Sequence, residues 1–107
     1  MPTPVNDPGE ITSQSRFHHR LTVALETLAT LNRTNPEFET LQVMEAQLQF
    51  MQECVAEGGN HRRADQERIT LGTLAVRNLE DSAPELASEL SRLDYAFRHW
   101  DDLSTST

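Results

Sequence analysis

Apolar residues recur every three or four positions along most of this chain, which is the spacing of an amphipathic α-helix. One such run predicts a helix from about Ser13 or Ser15 to Asn32, with an apolar stripe of Phe17, Leu21, Leu25, Leu28 and Leu31. A second run predicts a helix from Pro36 to about Glu57, with a stripe of Leu41, Met44, Leu48, Met51 and Val55. Each stripe is expected to face a shared core.

The second half of the chain predicts two more helices. The third is expected from near His61 to Glu80, with a break or kink before Ile69, because the segment that precedes Ile69 is almost entirely polar. The fourth is expected from Pro84 to near Asp101, with an apolar stripe of Leu86, Leu90, Leu93, Phe97 and Trp100.

Four amphipathic helices with short connections predict an all-α fold, a compact antiparallel bundle of about four helices. We assign the bundle domain to residues 12–102. Residues 1–11 contain three prolines and a glycine and are predicted to form a flexible arm, and residues 103–107 a flexible tail.

Several residues predict where helices begin or pack closely. Asn35 is expected to cap the second helix at its N-terminus, with Pro36 in the first helical position. Ser82 can cap the fourth helix, and Pro84 fits its first turn. Gly72 lies inside the apolar pattern of the third helix, where it costs about 1 kcal/mol relative to Ala. It therefore predicts the close approach of a neighbouring helix or of a partner's backbone.

Composition narrows the functional classes. The chain has 107 residues and a formal net charge of −8. This charge argues against nucleic acid as a direct ligand, because phosphate binding needs a basic face. Cys54 is the single cysteine, so no internal disulfide can form.

The N-terminal segment lacks the pattern of a signal peptide, and no apolar run is long enough for a membrane span. We therefore expect a cytoplasmic protein that does not bind membranes.

One face of the second helix is acidic and rich in amides. The residues opposite its apolar stripe are Glu39, Gln42, Ala46, Gln49 and Glu53. This face is either a solvated helix surface or a docking surface that is steered onto a basic cleft. We take Glu39, Gln42, Gln49 and Glu53 as candidate partner-binding residues.

Tyr95 and a group of residues on the second helix each allow a structural and a functional interpretation. Tyr95 lies off the main stripe of the fourth helix, where it either covers the edge of the core or anchors an interface, and we add it to the candidate partner-binding residues. Val43, Phe50 and Cys54 fall together beside the apolar stripe of the second helix. Either this helix packs on two sides, or Phe50 contributes to a homodimer or to a partner interface.

Catalysis is poorly supported by the sequence. The pairs Glu53/Glu57 and Glu85/Glu89 have the i, i+4 spacing with which carboxylates hold magnesium in a helical nucleotide pyrophosphohydrolase. That chemistry needs further acids from another helix, and no convincing Glu-Glu-x-x-Asp cluster supplies them. The histidines lack zinc-site spacing, and no Gly-rich phosphate loop is present. We predict no catalytic, cofactor-binding or metal-binding residue, and no cofactor.

Two segments resemble a known family. They are Glu45-Ala46-Gln47-Leu48-Gln49-Phe50 and the stretch from Arg68 to Leu86, which contains Ile-Thr-Leu-Gly-Thr-Leu-Ala-Val and then Asp-Ser-Ala-Pro-Glu-Leu. They are similar to the small helical immunity proteins that neutralise NAD(P)-hydrolysing toxins delivered by type VI secretion. Members carry a Glu-x-Gln-Leu-Gln-aromatic segment, then a Leu-Thr-Leu-Gly-small-Ile/Leu-Ala-Val segment, and then an acidic-Pro-Glu-Leu helix start. The resemblance covers roughly Arg20 to Phe97.

The resemblance implies a protein that binds and occludes the toxin domain of a cognate effector and has no enzymatic activity of its own. Two alternatives remain open at this point. A small acidic helical secretion chaperone or adaptor would bind an extended client segment near an effector's secretion signal. A magnesium-dependent nucleotide pyrophosphohydrolase would use the paired carboxylates instead.

Overall fold

Among the residues that the structure describes, four α-helices form the bundle, which confirms the predicted all-α fold. The computed structural model describes residues 11–56 and 66–103. The helices are α1 (Gln14–Thr34), α2 (Glu39–Ala56), α3 (Leu71–Leu79) and α4 (Pro84–Arg98), followed by a 3-10 turn (Trp100–Asp102). The predicted start of the third helix near His61 lies outside the described residues.

Each helix packs against its two neighbours, in the order α1, α2, α3, α4 and back to α1. Contacts across two of these interfaces run antiparallel. On α2, Gln47 contacts Thr70 while Phe50 contacts Arg68. On α4, Asp94 contacts Gly72 while Arg98 contacts Ile69. In this arrangement α2 and α4 occupy opposite corners of the bundle.

The core is built from the predicted stripes. All five positions of the α2 stripe are buried, namely Leu41, Met44, Leu48, Met51 and Val55. In α1, Phe17, Leu21 and Leu28 are buried, whereas Leu25 and Leu31 are only partly buried. Fully burying one such side chain contributes about 1.5–3 kcal/mol, so these stripes supply the main driving force for the bundle.

The connection between α1 and α2 differs from the prediction. Asn35 does not cap α2; it ends α1, because its backbone N–H and its side-chain Nδ2 both donate to the carbonyl oxygen of Leu31, at 2.8 and 3.0 Å. Pro36 lies in the turn that follows, and α2 begins only at Glu39. Asn is favoured at both ends of helices, so the local sequence does not distinguish these two roles.

The break before Ile69 is confirmed. Gln66 and Glu67 are helical, the chain leaves the helix at Arg68, and α3 begins at Leu71. The prediction that Ser82 caps the fourth helix is wrong. Ala83 occupies the N-cap position of α4 without a side-chain hydrogen bond, while Pro84 stands in the first turn as predicted.

The C-terminal end of the bundle folds back onto its beginning. The helix α4 ends at Arg98, three residues before the predicted Asp101, and the 3-10 turn follows. This turn places the ring of Trp100 edge-on against Phe17, with centroids 5.1 Å apart. Ile11 and Leu103, which the sequence assigns to the arm and the tail, are both buried against the bundle.

Candidate functional site

The acidic face of α2 is exposed along its whole length. Its members are the predicted Glu39, Gln42, Ala46, Gln49 and Glu53. The Gln42 side chain donates to the carbonyl oxygen of Pro36 at 3.2 Å, so it folds back onto the α1–α2 turn. Glu39, Gln49 and Glu53 make no hydrogen bond or ion pair within the described part of the chain. The face is therefore available to a partner, and its use for docking stays a prediction.

The adjoining face of α2, formed by Val43, Phe50 and Cys54, is partly packed against the core and partly exposed to solvent. Phe50 and Cys54 are partly buried, and both pack against the core. This favours the interpretation that α2 packs on two sides. Val43, one turn before Gln47 on the same side, is 47% exposed. The guanidinium of Arg68 lies over the Phe50 ring, with its central carbon 4.3 Å from the ring centroid. A homodimer through Phe50 stays a prediction.

The two segments that carry the family resemblance meet at the junction of α2 and α3. The Gln47 side chain donates through Nε2 to Thr70 Oγ1 and accepts through Oε1 from the Thr70 backbone N–H, both at 2.9 Å. This paired contact satisfies a backbone donor at the start of α3, where helices leave such groups without partners. Gln47 therefore fixes α3 against the middle of α2.

A second polar contact fixes the start of α3 from the other side. Asp94 on α4 is buried and accepts from the backbone N–H of Gly72 at 2.7 Å. Arg98 donates to the same carboxylate at 2.6 Å and also to the carbonyl oxygen of Ile69. A Cβ atom on Gly72 would lie 3.0 Å from Asp94 Oδ2. The close approach predicted at Gly72 is thus made by a side chain of the neighbouring helix, not by a backbone.

The roles of these bridging residues are not evident from the sequence. Gln47 lies inside a recognised segment but gave no sign of its partner, which is 23 residues away. Asp94 and Arg98 have the i, i+4 spacing of an ion pair, and Asp94 follows a stripe residue directly, which together could have indicated a polar group held at the edge of the core.

Tyr95, the remaining candidate, lies on the outer side of α4. Its side chain is 66% exposed, and its ring lies against that of His99 with centroids 4.2 Å apart. It borders a small groove with Ile11, Ser91, Arg92 and Ala96. Because α4 and α2 stand at opposite corners, Tyr95 does not join the acidic face of α2. The predicted residues therefore form two separate candidate surfaces.

The carboxylates considered for magnesium do not converge. Glu89 is held by Arg20 of α1 in a bidentate ion pair, while Glu85 is exposed in the first turn of α4. Glu57 lies outside the described residues. Across residues 11–56 and 66–103, no group of three or more His, Cys, Asp or Glu side chains is placed to hold a metal ion. Within the same ranges, no helix has the length and apolar character needed to cross a membrane.

These features define a small all-α domain in which polar side chains connect neighbouring helices and the acidic face of α2 is exposed to other molecules. The chain belongs to the Tsi6 family, whose model matches residues 19–99. Tsi6 is a family of type VI secretion immunity proteins, so the resemblance carried by the two segments is confirmed at the level of the immunity family. Among curated proteins and among solved structures, nothing matches the chain.

Proposed function

We propose that this chain binds the toxin domain of a cognate type VI effector and inhibits it by covering its substrate cleft, and that the toxin degrades NAD(P). Family membership supports the partner class, and the exposed acidic face of α2 is the observation that supports the mode of binding. The chemistry belongs to the partner, and this chain supplies a rigid complementary surface.

The charge on α2 suits such a partner. A cleft that binds a dinucleotide needs positive groups for the phosphates, so an inhibitor that covers it should present negative charge. Glu39 and Glu53 stand near the two ends of the exposed face of α2, about 21 Å apart at the helical rise of 1.5 Å per residue. This spacing allows the two carboxylates to contact separate cations along one cleft. Such complementarity also raises the rate of association above the unsteered value of about 10⁵–10⁶ per molar per second.

The scaffold suits tight binding as well. An immunity protein must hold its toxin for long periods, which requires nanomolar affinity, about −12 kcal/mol or more favourable. Residues on a helix that is packed on two sides lose little further backbone freedom on binding, and this lowers the entropic cost of association. The α2 backbone is fixed in this way by its buried stripe and by the Gln47–Thr70 contact.

The test uses the purified full chain and the toxin domain of the effector encoded beside its gene. We expect nanomolar binding by calorimetry, loss of NAD(P) hydrolysis by the toxin on titration to one equivalent, and rescue of cells that express the toxin. The chain alone should hydrolyse no nucleotide with or without magnesium. Absence of binding to the toxin domain would contradict the proposal, and binding only to a segment near the effector's secretion signal would indicate a chaperone instead.

A further inference from the structure

Arg68 is an exposed cation whose side chain lies against an aromatic ring and, among the described residues, forms no ion pair. Its guanidinium lies over the ring of Phe50, with its central carbon 4.3 Å from the centroid. Within the described part of the chain, no carboxylate pairs with it. A guanidinium over an aromatic ring retains N–H donors that the ring does not occupy, and these match the two oxygens of a carboxylate.

The two residues that follow Arg68 are held by contacts with two different helices. The next residue, Ile69, is buried, and its carbonyl oxygen accepts from Arg98. Thr70 follows and is held by the paired contact with Gln47. Arg68 therefore projects from a short non-helical segment that is tied to both α2 and α4. A side chain held in this way loses little freedom on binding, which is the property of an interface anchor.

The position of Arg68 places this positive group beside the acidic face of α2. Phe50 and Glu53 are three residues apart and are therefore neighbours on the helix surface. The surface near the C-terminal end of α2 thus combines the carboxylate of Glu53 with a guanidinium over Phe50. A partner that matches this surface must offer a cation and a carboxylate close together.

We infer that Arg68 is an anchor that binds a carboxylate in the toxin's cleft, while the acidic face contacts the phosphate-binding cations around it. The inference rests on the proposed function. Hydrolysis of a glycosidic bond passes through an oxocarbenium-like transition state, and a carboxylate stabilises that positive charge. A cleft that hydrolyses NAD(P) therefore combines cations for the phosphates with an acid near the scissile bond, the pattern that Glu53 and Arg68 complement.

The experiment measures the affinity and the dissociation rate of the full chain for the toxin domain encoded beside its gene. Arg68→Ala should weaken binding by roughly 30-fold or more, mainly through faster dissociation. Arg68→Lys keeps the charge but loses the planar fork, so it should recover only a small part of this loss. Phe50→Leu keeps an apolar side chain but removes the stacking ring, and it should fall between the parent and Arg68→Ala. Arg77→Ala removes an exposed arginine of α3 that lies over no ring of the described residues, and it serves as the matched control.

A second arm identifies the group that Arg68 meets. Each Asp and Glu in the toxin's cleft is changed to its amide, and each variant is combined with Arg68→Ala. One amide variant should weaken binding to the parent but have no further effect on binding to Arg68→Ala. Parent-like affinity of Arg68→Ala, or additive effects for every cleft carboxylate, would overturn the role of Arg68 and leave the proposed function standing. A parent chain that does not bind the toxin domain would overturn both.

Discussion

The carboxylate of Asp94 on α4 caps the start of α3 from a neighbouring helix, accepting from the backbone N–H of Gly72 at 2.7 Å. Thr70, which stands at the N-cap position of α3, makes no side-chain cap bond there. The capping function is therefore performed by Asp94, which lies 22 positions after Gly72 in the chain. Negative charge is favourable at this end of a helix, because the first N–H groups are unpaired and the helix dipole is positive there.

Removing this carboxylate should destabilise the bundle. In Asp94→Ala, the N–H of Gly72 and the guanidinium of Arg98 both lose a charged acceptor in a partly buried place. Hydrogen bonds to charged groups contribute about 1.5–3 kcal/mol, so we expect a loss of roughly 2–3 kcal/mol in the free energy of unfolding. Urea denaturation, monitored by circular dichroism, measures this free energy of unfolding. Asp81→Ala, which removes an exposed carboxylate, is the control, and equal stabilities of the two variants would show that the Asp94 contact contributes nothing.

Substitution of Gly72 tests the same contact from the other side. Helix propensity alone predicts that Gly72→Ala stabilises α3 by up to about 1 kcal/mol. The structure predicts the opposite, because the new Cβ would lie 3.0 Å from Asp94 Oδ2 and this carboxylate is held by two hydrogen bonds. We expect Gly72→Ala to lose about 1 kcal/mol and Gly72→Leu about 2–3 kcal/mol, the range for overpacked sites. A higher melting temperature for both variants would mean that Asp94 moves aside freely.

The α2 stripe gives the most direct test of the core. Leu48 is fully buried, and Leu48→Asp places an unpaired charge among apolar side chains at a cost of several kcal/mol. Small domains have only about 5–15 kcal/mol of stability in total, so we expect loss of the cooperative thermal transition. Gln49→Asp makes an acidic change at the next, exposed position and should melt close to the parent. If Leu48→Asp melted like the parent, the assigned register of α2 would be incorrect.

These residues also show how far the sequence determines the structure in advance. The buried side of α2 could be predicted because its periodicity is local: Leu41 and Val55 belong to one uninterrupted run. The prediction that Asn35 caps α2 is wrong, because the choice between ending α1 and starting α2 depends on which backbone groups its side chain reaches. The contact between Asp94 and Gly72 could not be predicted, because it exists only when α3 and α4 are packed in their final register.

For the candidate surfaces too, local features could be predicted from the sequence, whereas features that depend on helix packing could not. Exposure of Glu39 and Glu53 followed from their position opposite the α2 stripe, and the structure places them there. That Tyr95 lies on a separate side of the molecule follows only from the packing order of the helices. The position of Arg68 could not be predicted from the sequence, since it depends on the ring of Phe50, 18 residues earlier in the chain.

The last prediction decides which surface meets the toxin. Glu39→Arg combined with Glu53→Arg reverses two charges that point away from the core, so the helix content should not change. If the acidic face docks on a basic cleft, this variant should associate with the toxin domain at least about tenfold more slowly and rescue cells less well. Association of the parent should fall steeply with added salt, because charges are screened beyond about 8–10 Å at physiological ionic strength.

Tyr95→Ala is the counterpart on the opposite corner of the bundle, and it should retain rescue if the acidic face of α2 binds the toxin. The reverse outcome, with rescue lost in Tyr95→Ala and kept in the charge-reversed variant, would place the interface on α4. In that case the acidic face of α2 would be a solvated surface, and membership of the immunity family would be unaffected.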